Sequence, residues 1–237
     1  MNQQTLTSPR SCQSGTRPRH WQNVWRDWRW FMVVLAGLLI TRSIVADWNQ
    51  VPTGSMQPTI AVGDQIVVDK RAYDLRLPFT QVRLATWAHP QRGDIVTFPS
   101  PLDGRLYVKR VVAQSGDVVA MRNNVLSVNG ISATYILQSD NADSPYRTFE
   151  EHLLGSSRLV QVRKVPHPGT MTSFGPITVP DGAYLMLGDN RDESFDSRAL
   201  GTIDRTTILG RARAVAFSLD YGNDFQPRPD RALAALR

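Results

Sequence analysis

Cysteine is almost missing from these 237 residues: Cys12 stands alone, so no disulfide can form within the chain and nothing beyond residue 12 carries a thiol. Such a chain suits an oxidising compartment, where a stray thiol is a liability, and is equally compatible with the cytosol. Lysine is scarce too. Lys70, Lys109 and Lys164 are the only three among 27 basic residues; the rest are arginine, which holds its proton at physiological pH where lysine can lose it. The four histidines, His20, His89, His152 and His167, lie in polar or loop-like contexts, and nothing marks a Ser-His-Asp arrangement. No internal repeat is visible. The body also lacks a charge imbalance. Residues 1–46 hold six arginines against one acid, Asp27, so five of the six formal positive charges fall there. A nearly neutral remainder does not suit a phosphate-binding surface, and no nucleic-acid partner is expected.

Residues 1–29 read as a basic polar tail, the first twenty without apolar periodicity. From Trp30 to Ile40 there is no charge, and with Arg42 snorkelling towards head groups the apolar stretch reaches Ala46. That is about 17 residues, the short end of what spans a bilayer. Trp21, Trp25, Trp28 and Trp30 before it and Trp48 after it resemble interfacial aromatic belts, and the preceding arginines place the N-terminus in the cytoplasm. Residues 30–46 are thus expected to be a single transmembrane anchor, with 47–237 exported. A cleaved leader fits less well, because Ile44 puts a bulky residue at −3 before Ala46. A core helix of the body is the remaining alternative.

After Asp47 the pattern changes to short β-prone runs between turn signals. Asp64–Lys70, Asp94–Phe98, Leu106–Ala113, Asp117–Met121, Asn124–Val128 and Tyr184–Leu187 are expected strands, and Ile208–Phe217 a final strand pair. Arg92-Gly93-Asp94, Ser115-Gly116-Asp117 and Asn129-Gly130 mark turns or bulges. Residues 131–180 are less regular and richer in Ser, Pro and Asp, as in an inserted β subdomain or a long excursion. The body is expected to be mainly β.

Three segments carry candidate chemistry. In Val51–Ile60, Ser55 lies between Gly54 and Met56 and is flanked by Pro52 and Pro58, a loop able to hold a hydroxyl and its own amide in one pose. A serine nucleophile needs a base. Lys109 sits in Leu106–Val112, where Tyr107, Lys109 and Val111 share one strand face. Burial there would lower its pKa and let the neutral amine serve; the bland alternative is a strand lysine that snorkels or pairs with a carboxylate. The third segment, Leu187–Arg198, is dense in turn formers and charges. Asp189, Asn190, Asp192, Glu193 and Asp196 could supply oxygens to calcium, but their spacing does not match an EF-hand.

Taken together and in order, Thr53-Gly-Ser-Met-Gln-Pro-Thr, Gly63-Asp64, Arg92-Gly-Asp-Ile-Val, Tyr107-Val-Lys-Arg-Val-Val with Gly116-Asp117, and Gly188-Asp-Asn-Arg-Asp-Glu-Ser-Phe-Asp-Ser-Arg resemble the successive boxes of bacterial type I signal peptidases. The resemblance runs from the apolar segment to Arg198 and weakly on to about Phe217. It implies a signal-peptidase-like β catalytic domain with an inserted non-catalytic β subdomain at about 118–182. It implies a serine endopeptidase that cleaves signal peptides from exported preproteins at the outer (periplasmic) face of the cytoplasmic membrane, with membrane lipid as a second partner and no metal or organic cofactor. Ser55 matches the nucleophile, Lys109 its base, and Ser194 the serine that orients the lysine. The Ser55 amide and Thr53 hydroxyl match the oxyanion hole. Val51, Met56, Ile60, Tyr107 and Val108 match positions lining shallow subsites for small side chains, and Asp189, Asp196, Arg198 and Arg110 match supporting charges.

Two positions depart from the family pattern. Glu193 stands where Asn is common, and Thr53 replaces a frequent serine, keeping the hydroxyl but restricting χ1. Alternatives are a specialised relative that matures one dedicated substrate such as a conjugative pilin, a non-catalytic secretion-accessory scaffold, and a soluble exported binding protein with a cleaved leader.

Overall fold

The computed structural model describes residues 28–38, 46–77, 80 and 82–236. The chain divides into two compact units, Met1–Ile40 and Thr41–Arg237. The first contributes a helix, α1, at residues 28–38, exposed along its length. Among the described residues no helix is long and apolar enough to cross a membrane, and residues 39–45 of the expected anchor lie outside them.

The second unit is built almost wholly from strands, as expected. They are β1 (Ala46–Gln50), β2 (Asp64–Asp69), β3 (Asp74–Arg76), β4 (Arg83–Thr86), β5 (Ile95–Pro99), β6 (Leu106–Ala113), β7 (Val118–Arg122), β8 (Val125–Val128) and β9 (Ile131–Ser132). There follow β10 (Thr134–Ser139), β11 (Tyr146–Leu153), β12 (Ser156–Arg163), β13 (Phe174–Thr178), β14 (Ala183–Leu187), a one-turn helix α2 (Ser197–Leu200), β15 (Ile203–Asp204), β16 (Gly210–Asp220) and β17 (Gln226–Pro227). The main sheet runs in the order β1-β2-β16-β5-β6-β14-β15, with β17 on β16.

Side-chain alternation splits the core across this sheet. On β5, Ile95 joins Val51, Met56, Ile60, Ile66, Val68 and Val215 on one side, while Val96 and Phe98 join Val111, Tyr184, Met186 and Ile208 on the other. β5 is covered on both faces, which is why its residues read as a continuous apolar run rather than an alternating one.

One expectation is corrected. Ile208–Phe217 is not a strand pair. Gly210–Asp220 is a single 11-residue strand inserted between β2 and β5, because nothing after Gly210 supplies a turn. Residues 131–180 are built from strands, the first of the two alternatives their composition left open. β10, β11 and β12 form a three-stranded antiparallel sheet, and β13 joins β7, β8 and β9 in another. Polar residues dominate there because much of each strand faces solvent, while Val119, Met121, Leu126 and Val128 pack with Leu185 and Leu187 of the main sheet. Asn129-Gly130 turns β8 into β9, both residues left-handed, as an Asn-Gly hairpin requires.

Candidate active site

The Ser55 loop is closed at its base by Val51 N–H donating to Asp64 O (3.0 Å) and Gly63 N–H donating to Val51 O (3.1 Å). Gly63, at φ +92°, fits because any Cβ there would fall 2.0 Å from the Leu219 carbonyl. Within the loop, Gly54–Met56 forms a short 3-10 turn that drives Met56 into the core and leaves Ser55 partly exposed. Arg231 donates to Thr59 O and to the buried Asp64 carboxylate, tying the loop to the C-terminal segment.

Lys109 comes from the centre of β6, paired with Val96 of β5, and is 3 % exposed. Its Nζ lies 2.7 Å from Ser55 Oγ and donates to it. In the neutral amine the same contact runs the other way, with the hydroxyl proton pointing at nitrogen. Burial lowers the Lys109 pKa from an ordinary lysine value to about 8, with Arg198 pushing the same way, while Asp196 and Asp189 resist. The Tyr107 ring, 5.4 Å from Nζ, favours the ammonium, so burial prevails over it as well. Thr53 Oγ1 lies 3.5 Å from Ser55 Oγ.

The loop from Gly188 to Arg198 wraps this pair. Asn190 N–H donates to the Ser55 carbonyl (3.1 Å) and its Nδ2 to the Gly54 carbonyl (3.2 Å). A Cβ on Gly188 would meet Ser194 Oγ at 2.2 Å and the Ser55 carbonyl at 2.4 Å, so the backbone passes here only because that residue is glycine. Ser194 Oγ is buried and makes no hydrogen bond of good geometry to Lys109, although it lies close enough to Asp196 to help keep that carboxylate ionised. Burial works against the charge on Asp196, but two Arg198 contacts of 2.8 Å and the Gly188 N–H outweigh it and lower the pKa. Arg110 and Asp189 form a fully buried bidentate pair at 2.8 and 2.7 Å, with Thr59 Oγ1 donating to the same carboxylate at 2.5 Å.

The calcium alternative loses its ligands to these pairs. Asp189 and Asp196 are held by arginines, Asp192 accepts from Asn124 and from Arg163 N–H, and Glu193 pairs with Arg163. The carboxylates point to separate partners, not to a common centre.

A groove of about 500 Å³ runs up to Ser55 and Lys109. Val51, Met56, Tyr107 and Val108 line it, as anticipated. Ile60 does not: it is wholly buried behind Met56, its N–H turned back onto the Met56 carbonyl, and belongs to the core. Sequence reasoning missed Gln50, Arg105, Leu106, Glu193 and Phe195 on the walls. Phe195, 49 % exposed between Ser194 and Asp196, carried the one usable signal, an aromatic with no apolar neighbours in a charged loop.

A serine hydroxyl against a buried, low-pKa amine, at the head of an apolar groove in a β framework, has the layout of a peptide-cleaving serine hydrolase with lysine as base. The family model described as signal peptidase, peptidase S26, matches residues 25–217, and the chain belongs to that family. Signal peptidase I of Pseudomonas fluorescens is 36 % identical over 209 residues, covering 79 % of this chain and 70 % of that protein. The Pseudomonas aeruginosa signal peptidase I is 35 % identical with the same coverage, and that of Aquifex aeolicus 30 % identical, covering 79 % and 82 %. A solved signal peptidase I from Enterococcus faecalis is 29 % identical, covering 53 % of this chain and 98 % of that chain, at a TM-score of 0.33.

Proposed function

We propose that Ser55 and Lys109 perform the reaction of this signal peptidase, a serine endopeptidase that cleaves signal peptides from preproteins. Neutral Lys109 Nζ takes the Ser55 proton as Oγ attacks the scissile carbonyl carbon. The resulting oxyanion accepts from the Ser55 N–H and the Thr53 hydroxyl. The intermediate collapses, the C–N bond breaks, and the Lys109 ammonium protonates the departing amine, which is the new N-terminus of the mature protein. A water then attacks the ester, Lys109 takes its proton, and that proton returns to Ser55 as the signal-peptide carboxylate leaves. The observation that carries this reading is the 2.7 Å contact between Ser55 Oγ and a buried amine whose pKa is lowered to about 8.

Ser194, buried beside Gly188 and Asp196, is assigned the orienting role by its place in the motif: a small turn of its hydroxyl would let it accept from Lys109. Asp189 with Arg110 and Asp196 with Arg198 hold the surrounding loop. Val51, Met56, Tyr107 and Val108 form the floor on which small substrate side chains rest. Residues 30–46 anchor the chain in the cytoplasmic membrane, with the tail inside and 47–237 outside; the arginine-rich flank supports this orientation. Lipid is then a second partner, and tethering enzyme and preprotein to one surface raises their effective concentration. Residues 118–182 serve as a non-catalytic insertion between β6 and β14. The scaffold alternative is not favoured, since nucleophile and base are both present and in contact.

The test is cleavage of a model preprotein by the purified protein. Ser55→Ala and Lys109→Ala should each abolish processing, and the double variant should be no worse than either, because both groups serve one proton transfer. Processing by Ser55→Ala at a substantial rate overturns the assignment.

A further inference from the structure

Glu151 lies on β11, in a sheet with none of the groups that handle the peptide bond, and is fully buried. Arg158 of the neighbouring strand donates to one of its oxygens (Nε, 2.6 Å). The other oxygen pairs with Arg191 at 2.5 Å and accepts from the Tyr135 hydroxyl at 2.6 Å. Burial on its own would raise the Glu151 pKa; the two guanidiniums and the tyrosine overcome that and hold it at about 2, so the group is a carboxylate at any working pH.

Arg191 is as buried as its partner, and it belongs to the loop that carries Ser194. Its N–H donates to the Gln161 carbonyl (2.9 Å), while the Gln161 N–H donates to the Asp189 carbonyl (2.9 Å), so residues 189–191 lie along β12 like a short parallel strand. The residue gripped between those two bonds is Asn190, which holds the Ser55 and Gly54 carbonyls. A continuous set of contacts therefore runs from Glu151 through Arg191 and Asn190 to the backbone of the nucleophile. A buried ion pair is weak evidence for stability, since well-packed apolar residues often do as well; its best-attested use is to fix one arrangement among several.

We infer that Glu151 is a positioning residue: by fixing Arg191 it seats Asn190 on the Ser55 loop, and so sets the pose of the attacking hydroxyl and of the amide beside it. This gives the sheet β10–β12 a task in the reaction without contact with substrate, and it rests on the Ser55/Lys109 reading. Most of the groove wall comes from Arg105–Lys109 and from Asn49–Thr53, outside this set of contacts; Glu193 and Phe195 reach it from the same loop as Arg191, but Glu193 is held separately by Arg163. Loss of Glu151 should therefore slow the chemical step and leave substrate binding nearly unchanged.

The experiment measures kcat and KM on a peptide spanning a signal-peptide cleavage site, with far-UV circular dichroism as the check of folding. Glu151→Gln should lower kcat on the order of tenfold to a hundredfold, as a misplaced nucleophile does, with KM within about threefold. Asn190→Ala should do the same, and the double variant Glu151→Gln/Asn190→Ala should be no slower than the slower single, because both act through one contact. Glu150→Gln, the partly exposed neighbour on the other face of β11, should leave kcat unchanged. If Glu151→Gln does not fold, Glu151→Asp decides by the same criterion, since it keeps the charge but shortens the reach. A folded Glu151 variant with unchanged kcat, a rise in KM alone, or full additivity with Asn190→Ala overturns the inference. Ser55→Ala is measured in parallel: if it cleaves, the dyad and this inference fall together; if it is inert while the Glu151 variants keep full kcat, the inference alone falls.

Discussion

At the scale of single residues, the proposed mechanism turns on Lys109. With a pKa of about 8, roughly a tenth of its amine is neutral at pH 7, against a few parts in ten thousand for an ordinary lysine. Burial therefore yields several hundredfold more working base. The kcat/KM profile should rise with pH through a midpoint near 8, and Lys109→Arg should be inert, because guanidinium keeps its proton. A profile governed by a group near ~6.5 would point to histidine, yet none of His89, His152 and His167 lines the groove. The same shift bears on stability with a fixed sign. The unfolded chain binds the Lys109 proton more tightly, so the site destabilises the fold below pH 8, where both states are protonated. That penalty, on the order of 3 kcal/mol, is relieved as pH rises from 8 towards the unfolded value of 10.5. Chemical denaturation at pH 7 and pH 10 on wild type and Lys109→Met should show the gap between the two proteins narrowing at the higher pH.

At the scale of elements, the loop Gly188–Arg198 is where charges set both rigidity and reactivity. Asp196 raises the Lys109 pKa and Arg198 lowers it, so Arg198→Gln should move the activity midpoint to higher pH. It should also lower the melting temperature, because Asp196 would keep a buried charge without its partner, a loss of about 3–5 kcal/mol. Much of this element was legible beforehand. Strand β6 falls on Leu106–Ala113 as expected, and the charges at 189, 196 and 198 that the structure pairs stand in the motif itself. What stayed hidden is non-local. Glu151 looks like any acid on a polar strand, because its two arginine partners lie 7 and 40 positions away and only the packing of β12 on the loop joins them. Ile60 was misplaced for a related reason: its type suits a groove wall and a core equally, and the turn at Met56 sends it inward. Residues 131–180 gave little periodicity because their sheets bury only part of each strand.

At the scale of the whole molecule, specificity follows from the groove as a shallow apolar surface closed by packed residues. If, as proposed, Val51, Met56, Tyr107 and Val108 receive the −1 and −3 side chains, small ones fit and a bulky one must displace packed neighbours. A preprotein with Phe at −1 should go uncleaved while Phe at −2 is tolerated, since an extended peptide turns that side chain away; gel analysis of processed product checks both. Strand order carries a further consequence, one of timing. Ser55 leads into β2 and Lys109 sits on β6, and these halves of the sheet are joined by β16, whose residues 210–220 follow both in the sequence. During synthesis, Ser55 and Lys109 both emerge before the strand that brings them to one sheet. Without Gly210–Asp220, no strand would pair β2 with β5, and the 2.7 Å contact would lose the sheet that holds its two sides together. On that strand order, the proposed site forms only after β16 has been made.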